Sequence, residues 1–115
     1  MRTFRFDRAE RPIPAYDSIG LVATRIAAGD GRVRLTCLTV EAGGVIGTHQ
    51  APSSQMFLVT AGAGWVAGAD GVRAAVHAGD GVVWDEGEVH TSGTDGGLTA
   101  LVIEGAPLTL FDPAA

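Results

Sequence analysis

Two stretches of the sequence decide the fold: residues 43–62, GGVIGTHQAPSSQMFLVTAG, and residues 79–94, GDGVVWDEGEVHTSGT. Each begins with glycine, contains one histidine and includes a short apolar run. In the first stretch the apolar run follows Gln55, and in the second it ends at Trp84. Short apolar runs bracketed by glycines are typical of strands joined by tight turns. Both stretches therefore predict short β-strands.

The chain on either side of these stretches continues the alternation of strand and turn. Gly29-Asp30-Gly31 predicts a hairpin between strands at residues 21–26 and 33–40, and Asp70-Gly71 predicts another hairpin. A strand of apolar character on both faces is predicted at residues 98–104. No helical stripe of useful length occurs. About eight or nine short strands at close spacing predict an all-β sandwich, jelly roll or barrel.

Length and composition agree with one globular domain of this class. The chain has 115 residues, of which 46% are hydrophobic, 18% charged and 17 in number are glycine. That length suits one domain, and a domain of this size buries enough surface to form a core without metal or disulfide staples. The glycine content is typical of many turns rather than of helices.

The net charge and the cysteine content indicate which binding partners and which cellular compartment to expect. A net charge of −5 argues against nucleic acid, despite four arginines at Arg2, Arg5, Arg8 and Arg11. The single cysteine, Cys37, cannot form a disulfide within the chain and lies in a strand, where we expect a buried side chain. No apolar stretch approaches the length of a membrane helix. We therefore expect a soluble, cytoplasmic protein that binds neither nucleic acid nor membrane.

The spacing of the two stretches resembles the two motifs of the cupin superfamily. In the first motif Gly43, His49, Gln55 and Gly62 match in spacing, with Ala51 at a position where cupins have histidine and Gln55 where they have glutamate. In the second motif the matching residues are Gly79, Gly87 and His90, with Asp85 replacing the usual proline and Thr94 the usual asparagine. The stretch formed by Trp84, Gly87, Glu88 and His90 is also similar to one in a group of small bacterial cupins.

This resemblance implies a small single-domain cupin barrel, or double-stranded β-helix, with a degenerate metal-binding motif. The single domain spans residues 1–115, in which residues 1–18 form an N-terminal arm or edge strand and residues 19–111 the barrel. Carried over by position, the metal ligands are His49, Gln55 and His90. These ligands are all neutral, so the charge of a divalent ion would need a substrate or a water-derived anion for compensation. Imidazole suits Zn, Ni, Fe and Cu alike, so the metal is left open.

Other readings of the same residues stay open. His49 and His90 could act without metal as a general acid and base, or could be satisfied polar groups in a decayed site. We place Trp84 and Glu88 at the pocket. Asp85, Glu86 or Glu88 could also supply the missing carboxylate or orient His90, although a solvated acidic loop explains them as well.

Three functions follow from these alternatives. The chain could be a metal-dependent enzyme acting on a small organic molecule, a metal-free module that binds or senses such a molecule, or a dimeric cupin with a decayed site. In each case we expect a homodimer, because strands that are apolar on both faces and an N-terminal strand with an exposed edge favour pairing with a second copy. Neither the ligand nor the reaction follows from the sequence.

Overall fold

The structure, a computed structural model, describes residues 1–111, so the last four residues of the expected domain lie outside the described part. Between Met1 and Phe111 it contains a single 3-10 turn, at Ala15–Asp17, and no α-helix. No helix in this range has the length and apolar character needed to cross a membrane. The strands are β1 (Arg2–Arg5), β2 (Arg11–Pro12), β3 (Val22–Ala23), β4 (Ala27–Ala28), β5 (Val33–Val40), β6 (Val45–Gln50), β7 (Ser54–Ala67), β8 (Arg73–His77), β9 (Asp80–Trp84), β10 (Val89–Gly93), β11 (Leu98–Gly105) and β12 (Thr109–Leu110). The all-β prediction is confirmed.

Strand β7 connects the two halves of the barrel. Its first part pairs with β9 and β11, and its second part pairs with β8 and β10. The strand changes partners beside Gly62, where φ is +77° and an added Cβ would lie 2.2 Å from the Gly97 carbonyl oxygen. Only glycine fits such a corner, because the left-handed backbone and the close approach both exclude a side chain. This explains the glycine that ends the first motif.

Two sheets that share β7 enclose the core. One sheet has the order β1-β9-β7-β11-β5, and the other has the order β6-β10-β7-β8. Successive side chains of a strand point to opposite faces, so every second residue of each strand points into the space between the sheets. The buried hydrophobic cluster draws on both sheets and comprises Ala51, Phe57, Val59, Val66, Val76, Val82, Trp84, Leu98, Ala100 and Val102.

The first thirty residues, together with Thr109–Leu110, add an edge strand and a separate extension. Strand β1 pairs antiparallel with β9, so the N-terminal strand lies at the edge of the first sheet. Arg5 fastens it there through Asp80, with Arg5 Nη1 2.9 Å from Asp80 Oδ1. Beyond β1, the short pairs β2–β3 and β4–β12 form two small two-stranded sheets.

Two expectations from the sequence are wrong. Strand β5 pairs with β11 and not with residues 21–26, which instead contribute β3 to a pair with β2. A glycine-rich turn between two apolar runs gives no information about the distant strand that competes for pairing. Cys37 is exposed rather than buried, because β5 lies at a sheet edge and turns Cys37 away from the cavity. By contrast, Asp70-Gly71 does lie in the connection of a hairpin, between β7 and β8.

Candidate functional site

Four residues on neighbouring strands of the first sheet form a row at one end of the barrel, which we call the mouth. Trp84 of β9 pairs with Gln55 of β7, Gln55 pairs with Glu104 of β11, and Glu104 pairs with Arg34 of β5. Cross-strand partners bring their Cβ atoms to about 5 Å, so their side chains interact on one face of the sheet. The Gln55 Nε2 atom donates to Glu104 Oε2 at 2.9 Å, and Arg34 Nη1 lies 3.5 Å from Glu104 Oε1.

The second sheet contributes the two motif histidines as a cross-strand pair. His49 of β6 and His90 of β10 are direct partners in the ladder, and their ring centroids lie 4.4 Å apart with the planes at 60°. The sequence spacing therefore places both imidazoles at the same level of the sheet. His90 also stacks on Trp84, with centroids 4.2 Å apart and planes at 19°, which joins the pair to the row on the first sheet.

Backbone carbonyls fix the tautomer of both histidines. His49 Nδ1 lies 2.6 Å from the Gly47 oxygen, and His90 Nδ1 lies 3.2 Å from the Glu88 oxygen. A carbonyl oxygen only accepts, so each Nδ1 carries the hydrogen and each neutral ring keeps a lone pair on Nε2. This is the arrangement that metal-bound histidines use, with the second nitrogen held by the protein.

Burial disfavours the charged form of His90. Its side chain is 4% exposed, and desolvation lowers its pKa below the ordinary value of 6.5, with a smaller contribution in the same direction from His49. The Glu88 carbonyl and carboxylate oppose this effect. His49 is exposed at the mouth. The pair thus combines a buried imidazole, whose pKa is lowered, with an accessible one.

A cavity of about 190 Å³ lies between the two sheets at this level. Leu38, Ile46, Phe57 and Val102 supply its apolar wall, and the polar groups of the mouth surround the other side. The full lining is Thr36, Leu38, Ile46, His49, Gln55, Phe57, Trp84, His90, Ser92, Val102 and Glu104. All three ligand candidates from the sequence, together with Trp84, therefore meet in one cavity.

Glu88 stands apart from that cavity, contrary to its assignment to the pocket. Its carboxylate accepts from the Asp85 backbone nitrogen at 2.9 Å and pairs with the Met1 ammonium group at 2.6 Å, outside the barrel. The ammonium group lowers the pKa of Glu88. Residues two apart in a strand point to the same side of the sheet, and His90 points into the cavity. Glu88 would therefore also point inward only if β10 extended back to it. The strand begins at Val89.

The carboxylate at the cavity is Glu104, which the sequence analysis did not identify. It lies on β11, 49 residues after Gln55, and reaches the site only through the pairing of β7 with β11. The sequence contains one indication of this residue: Glu104 is a charged residue at the end of a mainly apolar strand predicted at residues 98–104. That signal would have needed the strand order to give it a location.

The donor set is consequently small. Within residues 1–111 no group of three or more His, Cys, Asp or Glu side chains assembles in a way that could hold a metal ion. The residues available are two imidazoles and the amide oxygen of Gln55, whose nitrogen is engaged by Glu104. Such a set leaves coordination positions for solvent or a ligand.

Comparisons with solved structures show the same fold. A cupin superfamily protein from Desulfitobacterium hafniense aligns with 93% of this chain and 100% of its own, at 16% identity and a TM-score of 0.61. A cupin-2 domain containing protein from Shewanella frigidimarina aligns over 71% of this chain and 78% of its own, at 20% identity and a TM-score of 0.58. Salicylate 1,2-dioxygenase from Pseudoaminobacter salicylatoxidans matches 68% of this chain with 24% of its own, at 18% identity and a TM-score of 0.60. No curated protein matches the sequence.

A family model agrees with this fold and with the motif spacing. The model of the cupin domain matches residues 27–104, which include both motif histidines and the strands that carry Gln55 and Glu104. The match extends over more than half of the sequence. The chain belongs to the cupin domain family.

Proposed function

We propose that this chain binds a small organic molecule in the barrel cavity, beside a divalent metal ion held by His49 and His90. The observation that carries the proposal is the fixed tautomer of the pair, with each Nδ1 on a backbone carbonyl and each Nε2 free to coordinate. The cross-strand pairing sets both rings at one level, as joint ligation requires. Membership of the cupin family supports a metal without specifying which.

A bound divalent ion would supply Lewis-acid polarisation of an oxygen on the organic molecule. The remaining work falls to the chain itself. Trp84 holds the ring plane of His90 by stacking, and Glu104 accepts from the Gln55 amide nitrogen, which leaves the amide oxygen as the end that can bind a ligand. Leu38, Phe57 and other apolar residues exclude water from the deep end of the cavity. This arrangement suits one small molecule with a polar end and an apolar end.

A metal-free binding module is the second candidate, and it is favoured because no three His, Cys, Asp or Glu side chains within residues 1–111 assemble into a metal site. Glu104 is occupied by Gln55 and Arg34, and two imidazoles with one amide leave the charge of a divalent ion uncompensated. In this case His49 and His90 would position the molecule by hydrogen bonds. Likeness to salicylate 1,2-dioxygenase at 18% identity supports the fold and selects neither candidate.

Titration with Ni²⁺ and Zn²⁺ separates the two candidates. The protein should be freed of metal, titrated by calorimetry, and compared with His49→Ala and His77→Ala. His49 is exposed, so its replacement should not disturb the core, and His77 is a matched control on β8, with its side chain 65% exposed and paired with Asp80. We expect the affinity to fall by about 100-fold or more in His49→Ala, which is at or above the upper end of the loss caused by replacing a supporting residue.

The control should bind like the unsubstituted protein. Equal weakening in His77→Ala and His49→Ala would mean non-specific binding to surface imidazoles and would refute the metal site. Failure of the unsubstituted protein to bind either ion would favour the metal-free module instead.

A further inference from the structure

The inner face of β5 changes from basic to apolar along its length. Residues alternate on a strand, so Arg34, Thr36 and Leu38 share the face that is turned to the cavity, and Arg32 lies one step before them. This face of β5 therefore runs from the Arg34 guanidinium group, through the Thr36 hydroxyl group, to Leu38, and Arg32 lies in the chain just before the strand. A ligand that follows the strand would meet these groups in that order.

Beside the cavity mouth lies a second concavity, of about 630 Å³, that we call the arginine groove. It is lined by Arg32, Val33, Arg34, Pro52, Ser53, Glu104 and Gly105. Glu104 lines both the arginine groove and the cavity, so the two adjoin at this residue. One molecule that passes Glu104 would contact both.

The charge of the arginine groove is opposite in sign to the net charge of the chain. Its lining contains two guanidinium groups and one carboxylate, which leaves an excess of one positive charge in a chain whose net charge is −5. Arg34 is 79% exposed and lies 3.5 Å from Glu104, a distance that leaves several of its five N–H groups free. Arginine binds carboxylate through a planar fork of two parallel hydrogen bonds.

We propose that the arginine groove binds the carboxylate of a small amphipathic monocarboxylic acid whose apolar part lies in the cavity. The inference rests on the proposed function in taking this cavity as the ligand site, and it requires no metal. An excess of a single positive charge matches a carboxylate better than a phosphate dianion. A cavity of about 190 Å³ is below the usual range for drug-sized ligands, so the apolar part is a short chain or a single ring.

Matched acids and amides test the charge requirement. Butyrate with butyramide, and benzoate with benzamide, have nearly the same shape and differ in charge. Binding of each to the metal-free protein should be measured by ligand-observed NMR or calorimetry, with inorganic phosphate as a further probe. We expect at least one acid to bind about tenfold more tightly than its amide and more tightly than phosphate.

Single substitutions then locate the subsite. Arg32→Gln and Arg34→Gln should each weaken binding of that acid by about fivefold or more and leave binding of its amide unchanged. Arg11→Gln makes the same charge change on β2, outside the lining of the arginine groove, and should have no effect. An equal loss in Arg11→Gln would reduce the effect to overall charge and overturn the proposal.

The remaining outcomes are equally decisive. Equal affinity for acid and amide, tighter binding of phosphate, or no binding of either acid would each overturn the carboxylate subsite. Nickel titration of the same variants keeps this result separate from the metal site. If Ni²⁺ does not bind but the acid binds in an arginine-dependent way, the subsite stands and the metal proposal fails. If Ni²⁺ binds but the protein binds acids and amides with equal affinity, the metal proposal stands and the carboxylate subsite fails.

Discussion

Gln55 and Glu104 are direct cross-strand partners, and the Gln55 amide nitrogen donates to a Glu104 carboxylate oxygen at 2.9 Å. Because an ionised carboxylate only accepts, this contact decides which end of the amide is left for the cavity. The glutamate expected at position 55 in a full cupin motif is thus replaced by an amide, while the carboxylate lies on the next strand. The carboxylate of Glu104 is therefore engaged by the Gln55 amide and by Arg34, and it does not stand at the motif position.

Exchanging the two side chains should create a stronger metal site. In the double variant Gln55→Glu/Glu104→Gln, the carboxylate would stand at the motif position and its neighbour would supply the amide N–H. A carboxylate beside two imidazoles offsets part of the charge of the ion. We expect Ni²⁺ affinity about tenfold or more above that of the unsubstituted protein, measured by calorimetry. Equal or weaker Ni²⁺ binding would show that position 55 does not face the metal.

The single variant Gln55→Glu serves as the control for this exchange. It places two carboxylates directly opposite each other, where like charges destabilise a sheet. The melting temperature at pH 7 should therefore fall in the single variant and recover in the double variant. Recovery would show that the exchange preserves the fold, so that a change in Ni²⁺ affinity reports on the site.

Removal of the Trp84 side chain should raise the pKa of His90. Trp84 is 2% exposed and stacks on the imidazole, and burial is the main cause of the lowered pKa. In Trp84→Ala, water would enter beside the ring, and the pKa should move up toward 6.5. Titration followed by NMR measures the shift, with the exposed His77 ring as an internal reference. An unchanged His90 pKa would mean that the indole does not shield it.

The same position also separates stacking from hydrogen bonding. The Trp84 indole N–H is buried without a partner among residues 1–111, so it contributes packing rather than a hydrogen bond. Trp84→Ala should cost about 3–5 kcal/mol in the free energy of unfolding. Trp84→Phe keeps an aromatic face on His90 and should cost clearly less, which chemical denaturation of both variants would measure. Equal losses would indicate a role for the indole nitrogen.

Features whose position depends on local spacing can be predicted from the sequence. The motif distances place His49 and His90 on strands that pair at those very residues, and turn signals predicted the hairpin at Asp70-Gly71. The place of Glu104 in the site could not be predicted in this way, because its contact with Gln55 spans 49 residues and depends on the strand order. Local apolar pattern likewise made Cys37 a core residue, since a pattern reports which faces alternate but not whether a strand lies at an edge.

Exposed apolar side chains on β5 lead us to expect a homodimer. Val33 and Leu35 are 49% and 63% exposed on the outer face, next to Cys37, and within the described chain β5 pairs only with β11. An open edge with an apolar face is a usual site of pairing between copies. Leu35→Lys should shift the protein to a monomer in light scattering. The matched variant Val72→Lys, at a residue 66% exposed near the Asp70-Gly71 turn, should not.

The rate at which Cys37 reacts with a thiol reagent tests independently whether a second copy covers this face. If a second copy covers β5, Cys37 should react slowly with a thiol reagent in the unsubstituted protein and quickly in Leu35→Lys. Fast reaction in both, together with a monomeric mass over the accessible range of concentration, would contradict the dimer.

Acid should remove the stabilising contribution of an ion pair in the N-terminal extension. Arg25 donates to both carboxylate oxygens of Glu10, through its backbone nitrogen and its side chain, and holds the pKa of Glu10 at about 2, against an ordinary value of 4.5. A pKa lowered in the folded state stabilises the fold above pH 4.5, and this contribution is lost as the pH falls from 4.5 toward 2. Glu10→Gln should therefore melt below the unsubstituted protein at pH 7, and the difference should vanish near pH 2. Glu41→Gln, in the turn after β5, controls for the loss of a surface charge, and a difference independent of pH would show that the ion pair is not its cause.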